Sequence, residues 1–292
     1  MTGWYYPRMI ASSDDLIPYL DRPLRRPARI VAAALGAMAL IAVAGCGSSG
    51  PAASSKPVSA RQALSLAANE SQQVSSLTAT ISVRTSLTSA SGISGSMQIR
   101  VKPTPLVNAV FTVSATGAPH TQLQEILTNK ALYLKDSALT KLTGKPWIAI
   151  SFAALSSKAG VNFASLFQSL EGSNPLDQSK FFAASKNVRK VGTQTINGVA
   201  TTEYSGSYAP SAALSLLTPK LRKQLEPMLR AMGTRSVQFQ IWIDGSHLIR
   251  KAIEHETIAG QTATVSYTVT SVNQPVTVTL PPASQIAPLP KF

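Results

Sequence analysis

Hydrophobic and polar positions alternate with a period of two through two long blocks of the chain. In the first, Leu77, Ala79, Ile81 and Val83 alternate with Thr78, Thr80, Ser82 and Arg84, and Met97, Ile99 and Val101 alternate with Gln98, Arg100 and Lys102. Val107, Ala109, Phe111, Val113 and Ala115 continue the pattern, and shorter strands are predicted at Gln122–Thr128, Ala131–Lys135 and Trp147–Ser151. In the second block Val237, Phe239, Ile241 and Ile243 alternate with Gln238, Gln240 and Trp242, and Asp244-Gly245 turns the chain into Leu248–Ile258. Ala263, Val265, Tyr267 and Val269 follow, and Val276, Val278 and Leu280 are predicted as a closing strand before Pro281-Pro282. Such alternation means a sheet with one buried and one wet face.

Elsewhere the period lengthens. Ala60, Ala63, Leu64, Ala67 and Ala68 predict a helix over 58–76 with Ser59 as N-cap. Phe163, Leu166, Phe167 and Leu170 predict a second helix, closed by Gly172, and Asn174-Pro175 opens a short third one through Phe181 and Phe182. A hairpin over Asn187–Ser207 turns at Asn197-Gly198, and a longer helical region follows over 210–232. Two sheet-rich blocks around a helical middle, without a βαβ rhythm, give an α+β, antiparallel fold class.

Ile30–Cys46 obeys a different rule. A basic run (Arg22, Arg25, Arg26, Arg29) precedes an apolar stretch that is shorter than the ~20 residues of a spanning helix, and small residues close it. This is an export signal. Val43-Ala44-Gly45-Cys46 resembles the bacterial lipobox, which implies cleavage before Cys46 and acylation of its sulfur. Two or more acyl chains, at about 0.8 kcal/mol per buried methylene, anchor stably where one does not. The expected organisation is therefore a removed leader over 1–45, a lipidated cysteine and tether over 46–57, a domain over 58–285 and a tail over 286–292, held at the extracytoplasmic face of the cell membrane.

Charge adds one constraint. Of 27 Lys+Arg and 13 Asp+Glu, the leader holds five and three, so the remainder carries 22 against 10, a net +12. For an exported chain that excess suits anionic lipid headgroups or acidic wall polymers rather than nucleic acid. Simple solubility accounts for it equally well. Cys46 is the single cysteine, so no disulfide supports the fold, and a monomer is expected.

Catalytic chemistry is sparse. No G-x-S-x-G, H-E-x-x-H or phosphate-cradling glycine loop occurs. His255 between Glu254 and Glu256 resembles a metal set only until the strand is drawn, since alternate side chains face opposite ways; a solvated strand face with edge charges is the expected account. No catalytic residue, metal or cofactor is assigned. A stripe of Leu214, Leu217, Leu221, Leu225, Met228 and Met232 is amphipathic, with Lys220, Arg222 and Lys223 mostly off it. It reads either as a helix packed on the sheet or as a lid whose basic face touches membrane lipid.

The run Phe239-Gln-Ile-Trp-Ile-Asp-Gly-Ser-His-Leu-Ile-Arg250, the Thr262–Val272 strand and Val276-Thr-Val-Thr-Leu-Pro281 resemble the last three strands of the LolA/LolB/LppX superfamily of envelope lipid-binding proteins, in particular its LppX/LprG-type lipoproteins. The resemblance implies a strongly curved antiparallel sheet, a half-barrel whose concave face is closed by helices around an apolar pocket for a lipid or glycolipid. The cavity or lid residues are then Phe163, Phe167, Leu214, Leu217, Leu221, Leu225, Met228, Val237, Phe239 and Ile241, with Lys220, Arg222 and Lys223 facing the membrane. A non-enzymatic, membrane-anchored lipid carrier is the expected function. The alternative is an envelope module that uses the same fold to dock a protein partner.

Overall fold

The computed structural model describes residues 58–86, 92–114, 120–154, 179–215, 219, 222–223, 226, 230, 233–258 and 261–287. The chain opens with helix α1 (Ala60–Ser71). Its start is fixed by a capping box in which the Ser59 side chain accepts from the Gln62 amide and the Gln62 side chain accepts from the Ser59 amide. The predicted N-cap is thus the observed one, and the helix ends five residues before the expected Ser76.

Six strands follow: β1 (Ser76–Thr85), β2 (Gly92–Arg100), β3 (Leu106–Ser114), β4 (Thr121–Leu127), β5 (Ala131–Asp136) and β6 (Trp147–Ser151). Each pairs antiparallel with the one before it. Between β5 and β6 lies α2 (Ser137–Thr143), which the hydrophobic pattern does not predict; Asp136 caps its first turn through the amides of Ala138 and Leu139, and Gly144 ends it with a left-handed φ of 72°. A short helix α3 (Ser179–Ala183) leads into the hairpin β7 (Arg189–Ile196) and β8 (Val199–Tyr208). Asn197 and Gly198, both at positive φ, make the predicted turn. After α4 (Pro210–Leu214) come β9 (Val237–Asp244), β10 (Ile249–Ile258) and β11 (Gln261–Val272), and β11 returns to pair with β1.

The result is one open sheet of twelve strands in the order β12-β6-β5-β4-β3-β2-β1-β11-β10-β9-β8-β7. Only the two-residue β12 (Ile286–Ala287) runs parallel, against Trp147 and Ile148. Here the predicted closing strand is corrected: Val276–Leu280 does not pair with the sheet. Pro275 and Pro281-Pro282 flank it and remove the donors that a ladder needs. Val278 instead packs with Ile286 on Leu106, Ile126 and Trp147, covering the outer side of the β3–β6 end. Ile286 and Ala287, expected in the tail, belong to the sheet.

The main core lies on the other side. Ala63, Leu64 and Ala67 of α1 and Phe182 of α3 pack against the alternate residues Leu77, Ala79, Ile81, Met97, Phe111, Phe239, Ile241, Tyr267 and Val269. Each large side chain buried there contributes about 1.5–3 kcal/mol. The opposite face is polar across the middle of the sheet, where Gln124, Asn108 and Gln98 hydrogen-bond in a ladder across β4, β3 and β2. The free edge β7 exposes Arg189, Lys190 and Val191 beside a register shift at Lys190/Gly192, features that discourage pairing with a further strand. Among the described residues no helix is long and apolar enough to cross a membrane.

Candidate functional site

The sheet register places four carboxyl groups on the apolar face of the sheet: Asp136, which caps α2 at the end of β5 and lies in the row of Phe111 and Leu123, and three glutamates. One cross-strand row runs Tyr208, Val237, Glu256, Ala263, and the next runs Gly206, Phe239, Glu254, Val265. A third, at the far end of the sheet, runs Met97, Ala109, Glu125, Leu134, Ile148. Glu125, Glu254 and Glu256 are 1%, 3% and 5% exposed. The expectation that Glu254 and Glu256 sit on a solvated strand face is therefore wrong. Their split from His255 is as expected: His255 is exposed on the opposite face and hydrogen-bonds Thr264 Oγ1 at 3.0 Å.

The signal for their burial was present but indirect. Ile253-Glu-His-Glu-Thr257 has no apolar side of its own, so its pattern is silent. Only the register decides it, by setting both glutamates beside Val237 and Phe239 on one flank and Ala263 and Val265 on the other.

Around the pair the surroundings are aromatic. Phe182 and Phe239 have ring centroids 4.9 Å apart, and Tyr208 lies 6.0 Å from Phe182 and 6.2 Å from Phe239. Gly206 makes this possible, because a Cβ there would stand 2.8 Å from the Phe239 ring and 2.7 Å from Ser185 Oγ. The Tyr208 hydroxyl donates to Glu254 Oε2 at 2.8 Å. Glu256 Oε1, Tyr267 Oη and both oxygens of Glu125 are buried with no hydrogen-bond partner. Loss of hydration raises the Glu254 and Glu125 carboxyls from 4.5 to about 7 and raises Glu256 as well. Burial, with the carboxylates close by, holds the Tyr208 and Tyr267 hydroxyls well above 10.

Of the residues read from the sequence as cavity or lid, Val237, Phe239 and Ile241 are buried in this core, Val237 opposite Glu256, Phe239 opposite Glu254 and Ile241 opposite Ala252. Leu214 is buried at the end of α4. Arg222, expected to face the membrane, donates from Nε to the Leu214 carbonyl at 3.0 Å and from Nη2 to the Ser215 carbonyl at 2.8 Å, and Lys223 is exposed. Val43, Ala44, Gly45, Cys46, Phe163, Phe167, Leu217, Lys220, Leu221, Leu225 and Met228 lie outside the described residues.

The run Phe239–Arg250 has a structural explanation at its turn. Asp244 Oδ1 accepts from the amides of Ser246 and Leu248 at 2.8 and 3.0 Å, while Oδ2 accepts from Arg250 Nε at 2.7 Å. His247 adopts a left-handed φ of 61° inside that loop. The aspartate holds the β9–β10 turn together rather than meeting a ligand. An open groove of about 500 Å³ lined by Thr193, Thr195, Thr201 and Asp244 lies at this end of β8 and β9, opposite the end that carries Tyr208 and Val237.

No family model matches the chain. An uncharacterized 31.2 kDa protein in the rplA–rplJ intergenic region of Streptomyces griseus is 25% identical over 168 residues, 56% of this chain. The chain spans about half, 54%, of that relative's length. Among solved structures, LprF from Mycobacterium bovis is similar with a TM-score of 0.48 and 16% identity, over 76% of this chain and 96% of that one. The lipoprotein LppX of Mycobacterium tuberculosis is similar with a TM-score of 0.43 and 16% identity, over 75% and 98%. The MucA/MucB complex of Pseudomonas aeruginosa is similar with a TM-score of 0.33 and 15% identity, over 73% of this chain and 56% of that one.

Proposed function

We propose that the protein is an exported lipoprotein, anchored through Cys46 at the extracytoplasmic face of the membrane, whose domain over 58–285 binds a lipid or lipid-linked molecule without chemically altering it. In this reading the open sheet curves into a half-barrel, and helices close its concave face over the ligand's acyl chains. The observation that carries it is the composition of the covered face. An apolar wall from β1 to β11 is interrupted by buried polar atoms that the chain itself leaves unpartnered. Leaving a buried polar group unsatisfied costs about 1–3 kcal/mol, so Glu125, Asp136, Glu256 and Tyr267, each with such an atom on one face, favour a role outside folding.

Phe163, Phe167, Leu214, Leu217, Leu221, Leu225 and Met228 would line the mouth or lid of that pocket, with Val237, Phe239 and Ile241 as its floor. Lys220 and Lys223 would lie toward anionic lipid. Among the described residues, the acidic Glu125, Asp136, Asp244, Glu254 and Glu256 are buried and Arg250 is the one buried cation, which leaves the described surface more basic than the net charge conveys and supports contact with an anionic bilayer.

Titration of the purified protein with a fluorescent acyl probe tests the reading. Saturable uptake at about micromolar affinity, near −8 kcal/mol, is expected. A folded protein with no saturable uptake overturns it.

A further inference from the structure

We propose that the Glu254–Glu256 pair is the recognition site for a protonated amine carried on an acyl or alkyl chain. This rests on the ligand-binding role given above and names the polar group that such a ligand would bring.

Among the described residues, the two carboxyls, on adjacent rows of one strand in a water-poor setting, meet no positive charge that would compensate them. The described elements around the pair are aromatic or apolar. Tyr208 on β8 and Tyr267 on β11 are the titratable groups that face it; β9 supplies Val237 and Phe239, and α3 supplies Phe181 and Phe182. No Lys, Arg or His among the described residues bonds to either carboxyl. The nearest buried guanidinium, Arg250, is bound to Asp244 at 2.7 Å.

The free atoms have the right polarity for an ammonium group. Such a group carries three donors and no acceptor. Glu256 Oε1 and Tyr267 Oη are buried acceptors without partners, and Tyr267 is only 2% exposed. Tyr208 already donates to Glu254 Oε2, which orients that carboxyl. A phosphate or free carboxylate would meet two like charges here. An alcohol would fill hydrogen bonds but leave the charge uncompensated.

A cation reverses the effect of burial that holds both carboxyls toward their protonated forms. Binding therefore releases protons, and affinity for the amine rises as pH climbs through about 7.

The test uses the full chain held in an amphipathic polymer and measures displacement of a bound acyl probe by dodecylamine, dodecanol and dodecanoate, with butylamine as a chainless control. Dodecylamine is expected to bind at least about tenfold more tightly than dodecanol near pH 8, with the preference shrinking near pH 6. Glu256→Gln should abolish the preference for dodecylamine over dodecanol. Tyr267→Phe removes only an unpartnered hydroxyl, so it should lower amine affinity several-fold while the denaturation midpoint stays level or rises. Dodecanol binding as tightly as dodecylamine, or a preference that survives Glu256→Gln and Tyr267→Phe, overturns the amine site and leaves the lipid-binding role standing. Butylamine matching dodecylamine overturns the requirement for a chain. Failure of all probes to bind overturns both readings.

Discussion

Replacing Glu125 with Gln should stabilise the protein at high pH and leave it unchanged at low pH. Glu125 sits between Ala109 and Leu134 with both oxygens unpartnered, and burial raises its carboxyl from 4.5 to about 7. Below about pH 4.5 the group is protonated in both folded and unfolded chains, and its ionisation takes nothing from stability. As pH rises from there, the unfolded chain gives up the proton while the native state keeps it. Stability therefore falls until the native group also ionises near 7, where the loss is complete. A separation of about 2.5 pH units, at about 1.4 kcal/mol each, amounts to about 3 kcal/mol. That is a large share of a total stability of about 5–15 kcal/mol. Gln cannot ionise and has nearly the same shape. Urea denaturation of both proteins at intervals from about pH 4 to pH 8 should give midpoints that coincide at the acid end and diverge to about 3 kcal/mol in favour of Glu125→Gln at the alkaline end. Parallel curves, or a variant less stable at every pH, would refute the argument that this carboxyl is desolvated and uncompensated.

Four further outcomes follow from particular contacts. Asp244→Ala removes three hydrogen bonds, one of them a buried ion pair with Arg250, so a loss of about 3–5 kcal/mol is expected by chemical denaturation; a change under 1 kcal/mol would contradict the role given to the β9–β10 turn. Gly206→Val should displace the Phe239 ring and lower acyl-probe affinity, visible as a several-fold rise in Kd, whereas Gly192→Ala, where a Cβ meets open space, should not. Tyr208→Phe leaves Glu254 Oε2 without its donor and should cost about 1–3 kcal/mol, in contrast to the near-neutral Tyr267→Phe. Cys46→Ala should abolish metabolic labelling by fatty acid and accumulate the uncleaved precursor on a gel; unchanged labelling and size would remove the anchor.

The sheet was legible wherever alternation was clean. β1, β3, β9 and β11 carry Leu, Val, Ile, Ala, Phe or Tyr at alternate positions, and the structure buries most of them, leaving Val83, Val107 and Val113 half-buried. Turn chemistry was equally readable at Ser59, Asn197-Gly198 and Asp244-Gly245, because each residue type answers a local hydrogen-bond or φ requirement. α2 escaped because only Leu139 of its seven residues is buried, so the helix has almost no apolar stripe. Its Asp136 cap and closing Gly144 were the signals available. Val276–Leu280 misled in the other direction: alternation there serves packing of Val278 over an outer cluster, while flanking prolines keep the segment out of the ladder. The candidate site was the least legible part, since nothing within Glu254-His255-Glu256 says which face is covered. That depends on partners 7 to 19 positions away, which the strand pairing alone brings alongside.

The most direct test of the central claim is native mass spectrometry of the protein extracted from the membranes in which it is made. The account predicts a population carrying a non-covalent lipid in addition to any acyl groups on Cys46, released on activation as one or a few related species and depleted when the domain is saturated with an acyl competitor. A domain found only at its covalent mass, which remains so after incubation with lipid extract, would contradict it.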